Sequence, residues 1–344
     1  MIMKDGVRRG LEGETRPMQN TSHVMIVVPE MKEIEPDDNL ATISTARELA
    51  KHYDALGYSH VIRQFDYMPQ AFKAVIDEVR PDCVFNLVES VSGTSRLIHV
   101  PPIYLEELRI PYTGCPAHAI ELSNDKVLAK KILELLNAPT PRWGQPKTME
   151  ANQPGTWIVK AQHEHASYGM SQANVVQGTT AAIELANALE AEHKIDWMIE
   201  EFIDGREFNV SMIQTGNGHR ILPIAEIMFE NYSQGMHKII DYKAKWDDQS
   251  FEYKNTNRRY DFPGVDEPLL DALREISAKV WSGFDLRGWA RIDFRVDAAG
   301  IPYVVDVNAN PDLSLDAGFM AAAGRAKIAP HEAIRMITVA AMAA

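Results

Sequence analysis

The residues best suited to chemistry lie in two strand-like runs near the end of the chain, WARIDFRV and PYVVDVN, with a DAAG turn between them. Arg291 and Asp293 lie in the first run, and Asp306 and Asn308 lie in the second. Side chains two residues apart on a strand point to the same face, so each pair projects together. All four side chains converge on one patch if the two strands form a hairpin.

This set of side chains is typical of a metal site. Carboxylate and amide oxygens are hard ligands of the kind that Mg²⁺ takes, usually together with substrate phosphates and water. An adjacent arginine suits a phosphate group or a developing oxyanion. The pattern predicts a magnesium site formed by Asp293, Asp306 and Asn308, with Arg291 beside it. The alternative is that NANP is an ordinary turn at a strand end and Asp306 is a solvated neighbour.

A second motif, TWIVKAQ, places Lys160 at the end of a strand, where a long cation can reach a nucleotide phosphate. The loop that follows contains Ser167 and Gly169 and could present backbone N–H groups to phosphates. It is not a Walker loop, which needs a GK[ST] sequence leading into a helix. The alternative is an exposed lysine beside a solvated loop.

A third motif, WMIEEFIDGREFNV, groups three acidic residues beside an apolar strand and a glycine turn: Glu200, Glu201 and Glu207. Carboxylates at such a place could accept hydrogen bonds from an adenine amine or from ribose hydroxyls. The alternative is a charged strand edge that ends in an ordinary turn.

Composition excludes several classes of partner. A net charge of −13 argues against nucleic acid, because phosphate binding requires a basic surface. No run reaches the roughly 18 apolar residues that a membrane span needs. The two cysteines, Cys83 and Cys115, provide no disulfide framework and fit a reducing compartment. Residues 1–22 are polar and aperiodic, and we read them as a flexible extension without a secretory signal. A cytoplasmic protein is expected.

The hydrophobic pattern divides the chain into three units. Strands and helices alternate over 23–118, which predicts βαβ units and a parallel sheet. Residues 119–205 predict a small α+β module that begins with a helix at about 124–136. Residues 206–344 predict mostly antiparallel strands, with HRILPIAEIMF as one of them. The segment 230–262 is long, charged and aromatic with little periodicity, so we interpret it as a lid.

The order of these motifs resembles the ATP-grasp superfamily and, within it, the D-alanine–D-alanine ligase family. The motifs are SNDKVLAKK, WIVKAQ, IEEFIDGREF, RIDFRVD and VVDVNANP, and the resemblance extends to VFN and IPYTG, so that it covers about 84–320. It implies a three-domain ATP-grasp fold of α/β and α+β units with a Rossmann-like N-terminal domain. It also implies an ADP-forming, ATP-dependent carbon–nitrogen ligase with two Mg²⁺ ions, for which Mn²⁺ can substitute, and it suggests a homodimer.

The resemblance further implies roles for single residues. Lys126 and Lys160 would bind ATP phosphates, Ser167 would contact the nucleotide, and Lys245 would lie on a mobile loop near the γ-phosphate. Glu200 would contact the adenine amine, Glu201 and Ile203 would form the hinge segment, and Glu207 would contact the ribose. Asp293, Asp306 and Asn308 would be the metal ligands. Arg291 would stabilise the acyl phosphate and the tetrahedral intermediate.

The substrate-binding half departs from the family pattern. The Ser-x-Glu that orients the first D-alanine is absent, which leaves Glu30 as a candidate for an amine contact, and Glu89 lies near the position of a family histidine. Asp312 and Asp316 occupy the region of a serine–leucine pair that grips a carboxylate, which they would repel. We therefore expect a ligase for small amino-acid-like substrates that differs from true D-alanine–D-alanine ligases. The alternatives are an authentic D-alanine–D-alanine ligase, a nucleotide-binding protein without turnover, and a kinase that releases a stable phosphorylated product.

Overall fold

The computed structural model describes residues 22–30, 37–164, 167–216 and 218–343, without the side chains of 37–39. The flexible extension expected at 1–22 lies outside the described residues except for Ser22. The strands are β1 (His23–Val28), β2 (Ser59–Gln64), β3 (Cys83–Asn86), β4 (Trp143–Gly144), β5 (Thr156–Ala161), β6 (Val175–Gln177), β7 (Trp197–Glu201), β8 (Arg206–Thr215), β9 (Gly218–Ile221), β10 (Ala225–Phe229), β11 (Thr256–Arg259), β12 (Trp289–Val296) and β13 (Pro302–Ala309).

The helices are α1 (Asp37–Leu56), α2 (Pro69–Val79), α3 (Val100–Glu107), α4 (Ala117–Asn124), α5 (Lys126–Leu135), α6 (Thr179–His193), α7 (Tyr242–Trp246), α8 (Phe251–Lys254), α9 (Glu267–Gly283), α10 (Gly318–Arg325) and α11 (Pro330–Met342). None of them, within the described ranges, has the length and apolarity needed to cross a membrane.

The first sheet is parallel, with strand order β2-β1-β3. Its central strand β1 is buried on both faces, as parallel strands usually are. Val24, Ile26 and Val28 pack against one cluster, which includes Ile334 of the last helix, whereas the alternate residues face α2. Helix α11 therefore returns to cover the first sheet.

The second sheet is antiparallel, with order β4-β7-β5-β6, and α6 packs on it. The third sheet has order β11-β10-β8-β12-β13, with β9 paired to β8. Along β12 the residues alternate between two faces. Ala290, Ile292 and Phe294 join a core that includes Val280 of α9, which leaves the other face to polar side chains.

The structure corrects two predictions and refines a third. The helix expected at about 124–136 is α5, which begins at Lys126 because Asp125 has extended backbone angles (φ −80°, ψ 101°) and caps the helix by accepting from the N–H groups of Val127 and Leu128. HRILPIAEIMF forms two strands, since Pro223 between them has no N–H for a ladder. The segment 230–262 is partly regular and contains α7, α8 and β11. The C-terminal helices α10 and α11 had not been predicted.

Candidate active site

Strands β12 and β13 form the expected antiparallel hairpin. Asp293 lies directly opposite Asp306, and Arg291 lies opposite Asn308, with a register shift immediately after Asp293. The four side chains that were expected to share one face of the hairpin therefore do so. Their individual roles are taken up under the proposed function.

The carboxylate of Asp293 is the centre of a hydrogen-bond network. Arg291 donates to it through Nε (2.7 Å) and Nη2 (2.8 Å), and Asn308 donates through Nδ2 (2.9 Å). Asn209 of β8 adds a fourth hydrogen bond at 2.7 Å. Burial acts to lower the pKa of the Arg291 guanidinium, but the adjacent charge of Asp293 outweighs it and the net shift is upward. Asn209 was missed in the sequence, although the alternation along EFNV places it on the same face as Glu207.

The donor set fits a Mg²⁺ ion that is shared with phosphate groups. Two carboxylates from neighbouring strands and one amide group meet here, and Asn308 turns its nitrogen toward Asp293. Within the described ranges, no group of three or more His, Cys, Asp or Glu residues could hold a metal alone. Mg²⁺ in phosphate-binding sites commonly uses one or two carboxylates and takes its other ligands from substrate and water. The residues present are of the right kind for such an ion.

Two lysines from different elements pair with one buried carboxylate. Lys160, at the end of β5, lies 2.7 Å from Oε1 of Glu200, and Lys130 of α5 pairs with its other oxygen. The side chains of Glu200 and Lys130 are only 2% and 3% exposed. In this structure Glu200 is thus occupied by lysines, and its contact with an adenine amine stays a prediction.

Burial and the neighbouring charges act against each other in this cluster. Burial raises the pKa of the Glu200 carboxyl, but Lys130 and Lys160 lower it more, so that the net shift is downward. Burial lowers the pKa of Lys130, against the opposing charge of Glu200. Burial also lowers the pKa of Lys126, against the opposing charge of Asp306. The Nζ of Lys126 donates to the carbonyl of Glu164 at 2.7 Å. The sequence signal for Lys130 was its position four residues after Lys126, which places both on one helix face.

The residues predicted as the hinge segment and as the ribose contact separate into two groups. Glu201 turns away and pairs with Arg142 through two hydrogen bonds of 2.8 and 3.0 Å. Glu207 and Ile203 are instead brought together by Arg295, which donates to the Glu207 carboxylate and to the Ile203 carbonyl, each at 2.9 Å. Burial raises the pKa of the Glu207 carboxyl, and Arg295 only partly opposes this shift. Arg295 was missed, although it lies two residues after Asp293 on the same face.

The loop after Lys160 is joined to the segment 230–262. Ser167 donates from its hydroxyl to the Ile240 carbonyl at 2.8 Å. Gln172 and His237 exchange two hydrogen bonds, of 3.0 Å from the Gln172 amide and 2.7 Å from the His237 backbone N–H. Residues 165 and 166 of this loop lie outside the described ranges. The two segments that were expected to cover the nucleotide are therefore connected.

Helix α7 carries Lys245 and is capped by Asp241, whose carboxylate accepts from the Ala244 N–H at 3.0 Å. Protein atoms crowd the ammonium group of Lys245 and lower its pKa, and the charge of Arg291 adds to this effect. The carboxylates of Asp293 and Asp306 act on this pKa in the opposite direction. Its side chain nevertheless remains exposed to solvent.

The segment after β13 is held against the N-terminal unit. Asn310 accepts from the backbone N–H of Cys115 at 2.8 Å, and Trp289 donates to the Pro311 carbonyl at 2.7 Å. A small cavity beside this segment is lined by residues that include Glu89 and Asp312. Glu30 is exposed two residues after β1 and does not line this cavity.

Comparison with known proteins identifies the family. Residues 146–337, more than half of the chain, match the family described as D-ala D-ala ligase C-terminus. An uncharacterized protein, y4sG, of Sinorhizobium fredii is 30% identical over 248 residues, which cover 70% of this chain and 68% of that protein. The D-alanine–D-alanine ligase of Aquifex aeolicus is 28% identical over 280 residues, covering 79% and 86% of the two chains.

Solved structures agree on the fold. A crystal structure of D-alanine–D-alanine ligase from Bacillus anthracis complexed with ATP superposes with a TM-score of 0.71, at 19% identity, and covers 93% of this chain and 97% of that one. The three-unit ATP-grasp architecture predicted from the sequence is confirmed at the level of the fold, and the ATP-dependent ligase class is confirmed at the level of the family. The chain belongs to the D-ala D-ala ligase C-terminus family.

Proposed function

We propose that the protein is an ATP-dependent ligase that joins the carboxylate of one small amino-acid-like substrate to the amine of another through an acyl phosphate. The observation that carries this proposal is the convergence of Arg291, Asp293, Asp306 and Asn308 on one face of the β12–β13 hairpin. Binding a nucleotide alone would not require an arginine beside the metal-binding oxygens, whereas a developing charge on a transferred phosphoryl group would.

The reaction has two balanced steps. A donor carboxylate oxygen attacks the γ-phosphorus of ATP, the bond to the β–γ bridging oxygen breaks, and ADP leaves. The acceptor amine then attacks the acyl carbon, a C–N bond forms, the C–O bond to phosphate breaks, and the amine loses a proton. Phosphoryl transfer depends on positioning and charge neutralisation more than on a protein nucleophile.

The residues of this chain divide these tasks. Lys126 and Lys160 bind phosphate oxygens, and Arg291 stabilises the acyl phosphate and the tetrahedral intermediate. Lys245, on the segment 230–262, approaches the γ-phosphate and closes the site against water, which would otherwise hydrolyse the acyl phosphate.

Two binding roles complete the proposal. Asp293, Asp306 and Asn308 hold two Mg²⁺ ions, which would neutralise phosphate charge when bound. Glu200, Glu201, Ile203, Glu207 and Ser167 surround the nucleoside part of ATP, between the units 119–205 and 206–344. A cytoplasmic location and a homodimer belong to the same proposal.

The substrates are expected to differ from two molecules of D-alanine, because the substrate-binding motifs of the family are absent in this sequence. An authentic D-alanine–D-alanine ligase is the second candidate. The match to the D-alanine–D-alanine ligase of Aquifex aeolicus favours this second candidate, since it covers 86% of that protein.

A release assay tests the proposal. ADP formation is measured with Mg²⁺ for D- and L-amino acids, singly and in pairs, and hydroxylamine is added to convert an acyl phosphate into a hydroxamate. We expect ADP release that Asp306→Asn abolishes and that Asp271→Asn, at an exposed acid on α9, leaves unchanged.

The other outcomes identify the alternatives. Activity with D-alanine alone would establish the second candidate. ADP release without a hydroxamate would indicate a kinase, and no release with any pair would contradict a ligase.

A further inference from the structure

One buried arginine of the third sheet connects three separate parts of the chain. Arg295 lies on β12 directly opposite Glu207 of β8, and only 7% of its side chain is exposed. Its Nη1 donates to the Lys238 carbonyl at 2.7 Å, in addition to the bonds with Glu207 and with the Ile203 carbonyl described above. Lys238 belongs to the segment 230–262. One planar group therefore bonds this segment, the connection between β7 and β8, and an acid of β8.

The part of the segment that Arg295 contacts is the stretch 237–240, which has no regular secondary structure. Its backbone groups therefore need partners from elsewhere in the chain. Three of its carbonyl groups accept a hydrogen bond from a side chain, and the pairs are His237 with Gln172, Lys238 with Arg295, and Ile240 with Ser167. Two of these donors belong to the unit 119–205, whereas Arg295 belongs to the unit 206–344. The stretch is thus bonded to both units at once.

The stretch 237–240 also covers one face of the second sheet. Its Ile239 is buried and packs in one cluster with Ile158 of β5. Ile158 and Lys160 are two residues apart on β5, so their side chains share a face, whereas Val159 points to the face that α6 covers. Lys160 is a proposed phosphate ligand. The stretch therefore lies on the side of the sheet where the nucleotide is proposed to bind.

One donor of the Arg295 guanidinium group remains for a ligand. Its Nη2 is buried and has no hydrogen-bond partner among the described residues. The rings of Phe202 and Phe229 lie against the group, with their centroids 5.4 and 5.8 Å from its central carbon. A buried N–H without a partner is unfavourable, and an acceptor on a nucleotide bound beside Glu207 would satisfy it.

We propose that Arg295 is a positioning residue that couples nucleotide binding to the docking of residues 237–240. It holds the Glu207 carboxylate and the Lys238 carbonyl in one arrangement, so a nucleotide that binds beside Glu207 also stabilises the covering stretch. By linkage, the factor by which the nucleotide strengthens docking equals the factor by which docking strengthens nucleotide binding. This inference rests on the proposed nucleotide site and specifies how that site closes.

Hydrogen exchange and calorimetry measure the two sides of this coupling. Exchange is followed by mass spectrometry in peptides that cover 237–242, where the N–H groups of His237 and Tyr242 bond to the unit 119–205. Adenylyl imidodiphosphate with Mg²⁺ is the probe, and its Kd is measured by calorimetric titration. In the wild type the probe should slow exchange in these peptides about 10-fold, as expected for one charge-assisted hydrogen bond.

Two variants of Arg295 separate the coupling from a structural role. Arg295→Met removes all hydrogen bonds of the guanidinium group, so the Kd of the probe should rise about 10-fold and its protection of 237–242 should fall below about twofold. Because this variant leaves the buried Glu207 without its partner, Arg295→Lys is the second variant. Its charge preserves the ion pair with Glu207, but one ammonium group cannot reproduce the fork that also binds two carbonyl groups. It should lose most of the protection of 237–242 while exchange elsewhere stays at the wild-type rate.

Two control variants should behave as wild type. Lys238→Ala removes an exposed side chain but keeps the carbonyl group that Arg295 binds. Arg274→Met removes an exposed arginine of α9 that pairs with Glu267 and Asp271. Equal protection of 237–242 by the probe in Arg295→Lys and in the wild type would overturn the inference. A loss of protection in Arg295→Lys that is spread over the whole protein would overturn it as well.

These measurements require no turnover, which separates the inference from the ligase function. If no pair of substrates releases ADP, the ligase proposal fails, but a loss of protection confined to 237–242 in Arg295→Lys would still uphold the coupling. If ADP is released and the probe never changes exchange at 237–242, the coupling fails and the ligase proposal stands. If the probe does not bind to the wild type, both proposals fail.

Discussion

Replacement of Lys130 by methionine should destabilise the protein and weaken ATP binding together. The ammonium group of Lys130 pairs with Glu200, and it also donates to Thr140 Oγ1 (2.7 Å) and to the Val304 carbonyl (3.3 Å). Breaking a buried ion pair typically costs 3–5 kcal/mol, because it leaves an uncompensated charge. Lys160 still neutralises Glu200 in this variant, so we expect a loss of about 3 kcal/mol.

The coupling between the two charges can be isolated in a double-mutant cycle. Glu200→Gln leaves the buried ammonium group of Lys130 and the half-buried one of Lys160 without their carboxylate and should cost about 4 kcal/mol. The double variant contains one ammonium and one amide, which can form a hydrogen bond, so its cost should stay near that of either single variant. The coupling energy is then about 3 kcal/mol, well above the value expected for independent sites.

Urea-induced unfolding followed by tryptophan fluorescence measures these free energies, and the KM of ATP provides the second readout. In Lys130→Met the whole charge of Glu200 acts on Lys160 and draws it away from a phosphate, which should raise the KM of ATP. Lys131→Met is the matched control, since Lys131 is an exposed neighbour on the same helix and should change stability by less than about 0.5 kcal/mol. Additive effects of the two single variants, within about 0.5 kcal/mol, would refute the coupling.

Further predictions address the loop after β13, pH and metal. Gly114→Ala should cost about 2 kcal/mol or more and raise substrate KM values, because its φ is +97° and its Cβ would lie 2.5 Å from Oδ1 of Asn310. Gly57→Ala is the control, since Gly57 has a φ of +75° and its Cβ would have nothing within 4 Å. It should cost only about 1 kcal/mol and leave KM unchanged. If the two alanine variants had equal effects in unfolding and kinetic assays, the steric explanation would be contradicted. Burial raises the pKa of Asp125, but hydrogen bonds from His163 and Gln162 outweigh it and lower the pKa to about 2. A carboxyl whose pKa is lowered on folding stabilises the fold at pH values above its ordinary pKa, and this stabilisation is lost as the pH falls. The free energy of unfolding of Asp125→Asn should therefore be about 2 kcal/mol lower than that of the wild type at pH 6, with a smaller difference at pH 3, as measured by urea titration. EDTA should abolish ADP release and added Mg²⁺ or Mn²⁺ should restore it, so release that persists in EDTA would argue against a metal requirement.

The sequence predicted those parts of the site that depend on strand alternation. Arg291, Asp293, Asp306 and Asn308 could be placed on one face because a period of two is local and needs no knowledge of the fold. Asn209 lies on the same face, but its neighbour in space is 84 residues away along the chain. Pairing of that kind depends on sheet order, which a single sequence does not specify.

The same limit explains the other differences. Lys130 looked like an ordinary helical lysine, and only the packing of α5 against β7 makes it a buried ion-pair partner. Strand β11 lies in a segment without periodicity, so nothing in the sequence indicated a strand at the edge of the third sheet. Helix α4 had not been predicted, and the start of α5 was placed two residues early because Asp125, which also accepts a hydrogen bond from Gln162, caps the helix instead of lying in it.

The position of α11 has a consequence for the order in which the protein can fold. The hydroxyls of Tyr53 and Thr338 lie 2.7 Å apart although 285 residues separate them along the chain. During synthesis, the helix that covers the face of Val24, Ile26 and Val28 emerges only after residue 330. The first sheet cannot complete its core before that point, and such long-range closure slows folding. A chain that stalls before α11 would expose an apolar sheet face, which is the kind of surface that chaperones bind and that drives aggregation.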